Sequence, residues 1–200
     1  MILSPLFRST VWARAIATLT LATLVGLLVG LCGCAPAQQA ETAVDVEDLP
    51  AFSATEAALF DDTITGGAFG DGMDEVGEDQ QLKLSERSVR ADGILPVKIS
   101  TVTSDARGDD QVYQLVLVPN GSPLRGPEPT EPISVVVSSH SPSFAFVRGA
   151  DVELVGKQFI FLYRRYNVDG IATMHWRLEA DSNEVRKAIA EARLLEELDS

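Results

Sequence analysis

Apolar and polar residues alternate along much of the second half of the chain, and this pattern predicts β-strands. Over residues 171–180 the apolar side chains occupy every second position. Because successive residues of a strand point to opposite faces of a sheet, this segment predicts one buried face and one mostly wet face. Trp176 belongs to the apolar face, where core packing is expected, and His175 belongs to the polar face.

Four earlier segments carry a similar signal: residues 97–102, 112–118, 133–138 and 158–163. The turn-forming run 105–110 separates the first two of them, which predicts a β-hairpin. The run 167–170 predicts a second turn, directly before the segment that begins at residue 171.

Two weaker patterns fill the rest of this region. Leu82 and Leu84 alternate with polar neighbours, which sets the start of the β domain at residue 82. The residues that follow the turn at 141–143 are expected to pack inward and then to lead into the strand at residue 158. They are Phe144, Phe146 and Val147.

The C-terminal residues predict a helix. A capping-box pattern at 181–184 precedes apolar residues at helical spacing, so a helix is predicted over residues 181–198. Its apolar stripe, expected to dock on the sheet, consists of Val185, Ala188, Ile189, Ala192, Leu195 and Leu198. Together the strands and this helix predict a mostly β (α+β) domain over residues 82–200. A small antiparallel barrel or sheet with the helix packed on it is expected, and an OB-like barrel is one form of it.

The first 33 residues have the composition of an export signal. Arg8 and Arg14 give a positively charged start, and residues 15–31 contain no charge. The first acidic residue of the chain is Glu41. A positive segment followed by an apolar one is typical of a secretory signal peptide.

The apolar segment ends in Leu31-Cys32-Gly33-Cys34, which resembles the lipobox of bacterial lipoprotein signal peptides. The resemblance implies that residues 1–33 are removed and that Cys34 carries a diacylglycerol and an acylated amino terminus. Acyl chains on Cys34 would then hold the protein in a membrane. Cys32 is not the modified residue, because Leu31 before it is too large for the cleavage pocket. Ala35 implies sorting to the outer membrane, with the domain facing the periplasm.

An uncleaved membrane helix and an ordinary secretory signal peptide are the alternatives. Residues 15–31 are 17 positions, which is short for a membrane span of roughly 20 residues, and no basic cluster follows them. After cleavage Cys34 would be the single cysteine left. We therefore expect no disulfide and no free thiol for catalysis.

Between the export signal and the β domain the chain is acidic. Residues 34–52 lack periodicity and are predicted to be a disordered acidic tether. Residues 53–81 are predicted to form a short helix, opened by the capping box at 53–56, and an acidic, Gly-rich arm. The residues expected to hold this arm against the β domain are Leu59, Phe60, Ile64 and Phe69. The run 71–79 lacks EF-hand spacing, so a solvated loop is favoured over a calcium site.

Acidic residues dominate the charge of the chain. It has 29 acidic and 16 basic residues, a formal net charge of −13, and Lys83 is the single base between Ala35 and Glu86. Nucleic acid is excluded as a partner, because its binding requires a basic surface. Arg164-Arg165 is a small basic spot, expected to meet either an acidic partner or the chain's own acidic arm.

His140 and His175 are the only histidines, so the sequence supplies too few nitrogen and sulfur ligands for a zinc site. No metal site or other cofactor is predicted. His140 has serine neighbours, but no Gly-x-Ser-x-Gly motif or spaced acid completes a catalytic triad. For His175 an exposed strand histidine is favoured over a general base. No Gly-rich stretch of the sequence matches the pattern of a phosphate-binding loop.

These observations predict a lipid-anchored cell-envelope protein that serves as a binding or structural module. Its partner would be another envelope protein or a cell-wall glycan. Two alternatives remain open: a periplasmic hydrolase that uses His140 or His175, and a lipoprotein whose barrel mouth binds a small ligand. A hydrolase would need one histidine in a concave site beside both an acid and a hydroxyl.

Overall fold

The computed structural model describes residues 45–65, 78–107 and 110–199. Its centre is a six-stranded sheet that curls into a half-barrel. The strands are β1 (Thr63–Ile64), β2 (Gly93–Arg107), β3 (Asp110–Pro119), β4 (Ile133–Ser138), β5 (Gln158–Val168) and β6 (Ile171–Ala180). They lie in the order β1-β6-β5-β2-β3-β4, and every neighbouring pair is antiparallel except β1 with β6.

In the described ranges, four α-helices cover the two faces of this sheet. They are α1 (Ala54–Leu59), α2 (Glu78–Arg90), α3 (Phe144–Leu154) and α4 (Asn183–Asp199). Leu95 and Phe161 point to the face covered by α3, whereas their neighbours Ile94 and Ile160 point to the face covered by α1, α2 and α4. Alternate strand residues thus supply two separate cores. The predicted α+β fold, with a barrel-like sheet and a C-terminal helix packed on it, is confirmed.

Both predicted hairpins are present. β2 and β3 pair along their length, and β5 and β6 pair as far as Val168 and Ile171. The two residues between these strands, Asp169 and Gly170, have φ angles of 53° and 81°. Positive φ at both central residues is the geometry of the type I′ turn, whose twist matches that of the strands it joins.

The segment predicted to begin the β domain at residue 82 belongs to α2 instead, so this prediction is wrong. The alternation of Leu82 and Leu84 covers only four residues, and the next buried positions, Arg87 and Ser88, follow Leu84 at helical spacing. Leu82 itself faces solvent. An alternation this short does not distinguish a strand from a helix by pattern alone.

A helix, α3, also replaces the segment that was expected to lead directly into β5. Val147 and Leu154 are both fully buried, and their seven-residue separation places them on one face of a helix. Gly149 and the valines of α3 are weak helix formers, which explains why the sequence pattern did not indicate it. The expected inward packing is confirmed for Phe144, Phe146 and Val147.

Residues 45–52, which we call the N-terminal strap, are ordered against the β5–β6 hairpin. The Asn167 side-chain amide donates to the Val46 carbonyl at 3.0 Å, and the Asn167 backbone N–H donates to the Pro50 carbonyl at 2.9 Å. The prediction of a disordered tether is therefore wrong for the strap, while residues 34–44 lie outside the described residues.

The arm after the strap packs on the sheet as expected. Leu59, Phe60 and Ile64 are buried, which confirms their predicted role, and Phe69 lies outside the described residues. So does most of the acidic run, residues 71–77. The hydroxyl of Ser53 accepts the Glu56 N–H at 3.3 Å, so the predicted cap of α1 is present.

The C-terminal helix α4 begins at Asn183, where the Ser182 hydroxyl caps it by accepting the Val185 N–H at 3.2 Å. Its bounds differ by one or two residues from the predicted 181–198, which is within ordinary variation in helix ends. Neither α4 nor any other helix in the described ranges is long and apolar enough to cross a membrane.

At Gly93 of β2 a side chain of β5 occupies the space that a Cβ atom would need. A Cβ atom at Gly93 would clash with Cε1 of Tyr163, its partner on β5. We predict that Gly93→Ala lowers the free energy of unfolding by about 1–3 kcal/mol, because the ring must leave its place. Gly149→Ala is the matched control, since a Cβ there meets nothing within 4 Å. Urea denaturation measures both, and equal losses would contradict the prediction.

Candidate functional site

His175 lies in a bonded and largely covered position. Its Nδ1 is 2.8 Å from Oδ2 of Asp62, and Phe52 of the strap stacks flat on its ring with 3.7 Å between centroids. The side chain is 17% exposed. The prediction of an exposed strand histidine is therefore wrong, because the strap covers this part of the polar face of β6.

Asp62 fixes this position from the chain segment between α1 and β1. Its Oδ1 accepts the Trp176 N–H at 2.9 Å, and its φ of 53° places it in the left-handed region that Asp tolerates. Burial raises the pKa of the Asp62 carboxyl, and the contact with His175 offsets this effect only in part. An acid and a histidine are two parts of a hydrolytic site, but the reaction also requires a nucleophile. No hydroxyl among the described residues hydrogen-bonds to His175.

His140 occupies a different and exposed position, in the loop between β4 and α3. Its Nδ1 is 3.4 Å from the Ser139 hydroxyl, and no carboxylate of the described residues pairs with it. His175 therefore lies beside an acid, and His140 lies beside a hydroxyl. Among the residues that the structure describes, the three groups of a catalytic triad do not come together around either histidine.

Glu56 is the centre of a buried group of polar contacts. The Tyr166 hydroxyl donates to its Oε2 at 2.6 Å, Arg90 donates to its Oε1 at 2.6 Å, and Arg164 lies 3.5 Å from Oε2. Burial by itself raises the pKa of Glu56, but the hydrogen bonds from Tyr166 and Arg90 outweigh it, so the pKa is lowered overall. Glu56 is thus an ionised structural group that joins α1 to α2 and to β5.

The basic spot Arg164-Arg165 is satisfied within the chain. Besides the contact of Arg164 with Glu56, the Arg165 backbone N–H donates to Oδ2 of Asp92 at 2.8 Å. The expectation that the acidic arm meets this spot is confirmed for Arg164, whose partner Glu56 belongs to residues 53–81, whereas Asp92, which lies 3.4 Å from the Arg165 side chain, lies outside that arm.

A second network of charged side chains covers the C-terminal half of β6. Arg87 of α2 contacts Glu179 at 2.6 Å, and Arg177 donates to both oxygens of Asp61 at 2.8 Å. Arg177 also lies 3.2 Å from Glu179, so the two pairs form one network. Among the described residues no buried side-chain polar atom lacks a hydrogen-bond partner. The polar face of β6 therefore serves to fasten α1, β1 and α2 to the sheet.

The remaining sequence candidates are structural or lie outside the described residues. Trp176 is buried, which confirms the core packing predicted from its place on the apolar face, and Phe159 and Tyr166 are buried as well. The described ranges contain no cluster of three or more His, Cys, Asp or Glu side chains that could hold a metal ion. Cys34 lies before the first described residue.

Several large apolar residues of α2 and α4 are exposed. Between these helices runs an open groove of about 430 Å³. It is lined by Gln81, Leu82, Ser85, Ala188, Glu191, Ala192 and Leu195. The large apolar residues exposed on the two helices are Leu82 (70%), Val89 (38%), Leu194 (58%), Leu195 (60%) and Leu198 (74%). We call the groove and these five residues the α2–α4 surface.

This surface was only partly visible in the sequence. Of the stripe predicted to dock on the sheet, the residues up to Ala192 are buried, but Leu195 and Leu198 are not, so for these two the prediction is wrong. The spacing of the apolar residues shows which face of a helix is apolar. It does not show how far along the helix a neighbouring element covers that face. Adjacent Leu194 and Leu195 were the available signal, because two neighbouring leucines cannot both face the same side of a helix.

The bonds of Glu56 generate a pH-dependent prediction. Glu56→Gln should lower the free energy of unfolding at pH 7 by about 1.5–3 kcal/mol, because hydrogen bonds to a charged group are lost. A lowered pKa stabilises the fold above the ordinary value of 4.5, and this contribution disappears as the pH falls through the folded pKa. The difference between the two proteins should therefore shrink from about pH 5 to pH 3 in urea titrations.

Glu86→Gln is the control for this experiment. Glu86 pairs with the same Arg90 at 2.7 Å, but it is about half exposed, and such surface pairs contribute about 1 kcal/mol or less. A loss at Glu56 that stays constant with pH, or that equals the loss at Glu86, would refute the role assigned to the Glu56 carboxylate.

Comparisons with family models, with curated proteins and with solved structures found no match to this chain. The candidate site is therefore defined by its own geometry.

Proposed function

We propose that this chain is a lipid-anchored protein of the bacterial cell envelope that acts as a non-catalytic binding module. Cys34 would hold it in the outer membrane, with the domain in the periplasm. The anchor is supported by the lipobox-like residues Leu31-Cys32-Gly33-Cys34 at the end of an uncharged segment. Two acyl chains already give stable anchoring, and the third would make it effectively permanent.

The observation that carries the binding role is the exposure of the α2–α4 surface. Five of the nine large apolar residues that are exposed in the described ranges lie on these two helices. Two of the five, Leu82 and Leu195, line the groove between the helices, and an open groove with exposed apolar sides is a candidate interaction site. Arg125 fixes α4 beside this surface, because it pairs with Glu196 at 2.7 Å and donates to the Ser88 carbonyl of α2. The surface is thus presented by a rigid pair of helices.

A protein partner fits this surface better than a glycan. Sugar-binding sites combine exposed aromatic rings with several polar groups, whereas the groove is lined mainly by Leu and Ala and has no aromatic residue. The aromatic side chains of Trp176 and Tyr166 are buried elsewhere in the domain. An apolar groove between helices is instead typical of peptide and protein recognition.

The two other hypotheses draw less support from the same geometry. A hydrolase would need a nucleophile beside His175 or His140, and the described residues offer an acid to one and a hydroxyl to the other. A ligand in the mouth of the barrel would need space on the inner face of the sheet. There Val147 and Leu154 of α3 are fully buried against the strands.

The anchor is tested by changing the cysteine to which lipid is attached. Cys34→Ser should abolish signal-peptide removal and the mass increase from acylation, because the hydroxyl does not accept the lipid. Mass spectrometry and membrane fractionation measure both effects. Cys32→Ser is the matched control and should leave processing unchanged. If Cys34→Ser keeps the processed, lipid-modified mass, the proposed anchor is wrong.

The binding role is tested by photo-cross-linking in intact cells. A photoreactive amino acid at Leu195 should give a discrete cross-linked product, whereas the same group at Ile171, which is also exposed but lies on β6, should not. Equal labelling from both positions, or none from Leu195, would contradict the assignment of the α2–α4 surface as the binding site.

A further inference from the structure

We propose that Asn120 is a site of spontaneous covalent modification, at which the side chain loses its amide and the residue becomes aspartate or isoaspartate. The chain has three asparagines, and Asn120 is the one that a glycine, Gly121, follows. It comes directly after the last residue of β3, and both Asn120 and Gly121 are exposed. Neither residue belongs to the α2–α4 surface, so the reaction does not depend on the proposed binding function.

The reaction needs only these two residues and water. An asparagine side chain is short enough to reach the backbone that follows it. The Gly121 backbone nitrogen loses its proton and attacks Cγ of Asn120. A bond forms between these two atoms, the bond from Cγ to Nδ2 breaks, and the amide takes up a proton and leaves as ammonia. The product is a five-membered succinimide ring.

Water then opens the ring at one of its two carbonyl groups. Opening at Cγ gives aspartate, and opening at the main-chain carbonyl gives isoaspartate, in which the main chain continues through the side-chain carbon. Both products replace the amide by a carboxylate, so one water molecule is consumed for each ammonia released. No oxidant or reductant takes part.

The reacting peptide group is not held by the fold. Among the described residues, neither the Gly121 N–H nor the Asn120 side-chain amide has a hydrogen-bond partner. The nearest backbone bond before this peptide group joins the Asn120 N–H to the Pro96 carbonyl at 2.8 Å. The next one after it joins the Leu124 N–H to the Ile94 carbonyl, also at 2.8 Å. The peptide group between Asn120 and Gly121 therefore lies between two fixed points and is free to rotate.

The backbone also requires the glycine that makes Asn120 reactive. The φ angle of Gly121 is 130°, a conformation that residues with a side chain rarely adopt. The absence of a side chain at Gly121 reduces the steric hindrance to attack by its nitrogen. The fold thus keeps a reactive dipeptide at this turn.

The turn between β5 and β6 has a similar dipeptide in which the nitrogen is held. Asp169 precedes Gly170 there, and the Gly170 N–H donates to Oδ1 of Asn167 at 2.8 Å. The nitrogen must give up this bond before it can attack. The Asn167 amide is itself fixed, because it donates to the Val46 carbonyl. This turn therefore provides a matched comparison for the site at Asn120.

The modification would change the segment that joins β3 to Arg125. It adds a negative charge, and isoaspartate also adds one carbon atom to the main chain between the bonds to Pro96 and Ile94. Arg125 lies at the end of this segment, where it bridges to Ile94 and pairs with Glu196 of α4. The added length is therefore placed in a short connection that is fixed at both ends.

The test follows the reaction in the full-length chain at pH 8 and 37 °C over several weeks. Samples are digested at acidic pH, where the reaction is slow, and the peptides are identified by mass spectrometry with electron-transfer fragmentation, which distinguishes isoaspartate from aspartate. Asn120 should be converted at least about tenfold faster than Asn167 or Asn183, and both products should form at position 120.

Asp169→Asn places a second Asn-Gly dipeptide in the β5–β6 turn, and a type I′ turn accepts this pair well. In the folded variant position 169 should be converted at least about fivefold more slowly than Asn120, because the glycine nitrogen there is hydrogen-bonded. In concentrated urea the two positions should react at rates that differ by about twofold or less. Circular dichroism before each incubation checks that the variant is folded.

Each result supports or overturns the proposal. Conversion of Asn120 that is no faster than that of Asn167 or Asn183 overturns it. Aspartate without isoaspartate also overturns it, because direct hydrolysis of the amide then replaces the succinimide route. Equal rates at positions 120 and 169 in the folded variant overturn the role assigned to the free Gly121 N–H. The predicted order in the folded protein, lost in urea, supports the site as proposed.

Discussion

The carboxylate of Glu56 connects the short helix α1 to the rest of the protein. A six-residue helix is not stable in isolation, because too few hydrogen bonds offset the cost of forming it. α1 is held instead by the bonds of Glu56 to Tyr166 on β5 and to Arg90 on α2. A buried charge is tolerated only where such partners replace water. Together with the burial of Leu59 and Phe60, these bonds fix where α1 lies and how the segment after it reaches β1.

The network on β6 has the same physical basis. Arg87 and Glu179 are almost completely removed from water, Arg177 and Asp61 only in part, and each charge finds a partner of opposite sign. Removing one member would leave another buried without compensation, which costs more than the pair itself contributes. The covered face of the sheet thus depends on a set of contacts that is satisfied only when α1, β1 and α2 are all in place.

The strands could be predicted from the sequence because a two-residue alternation is local information. It located both hairpins and the buried position of Trp176. The fate of the polar face of β6 could not be predicted, because the partners of His175 and Arg177 are Asp62 and Asp61, more than a hundred residues earlier. No local pattern links an acid and a base over that separation.

The candidate surface shows the same limit. The helical spacing of the apolar residues in α4 could be recognised in the sequence. How much of α4 is covered, however, depends on how far the sheet and α2 extend along it. Leu195 and Leu198 follow the pattern of a buried stripe and are nevertheless exposed. The charged residues around them gave no signal of their own, since exposed helices commonly carry both signs of charge.

If the chain is anchored as proposed, the position of the N-terminal strap limits the distance between the domain and the bilayer. Asn167 holds the chain at Val46 and Pro50, so only the residues from Cys34 to Asp45 are left to bridge the distance to the lipid. Even a fully extended chain spans at most about 3.6 Å per residue, which gives a radius of roughly 40 Å. A molecule that binds to α2 and α4 would therefore have to approach the leaflet. Its distance from the leaflet could be no greater than this radius plus the width of the domain.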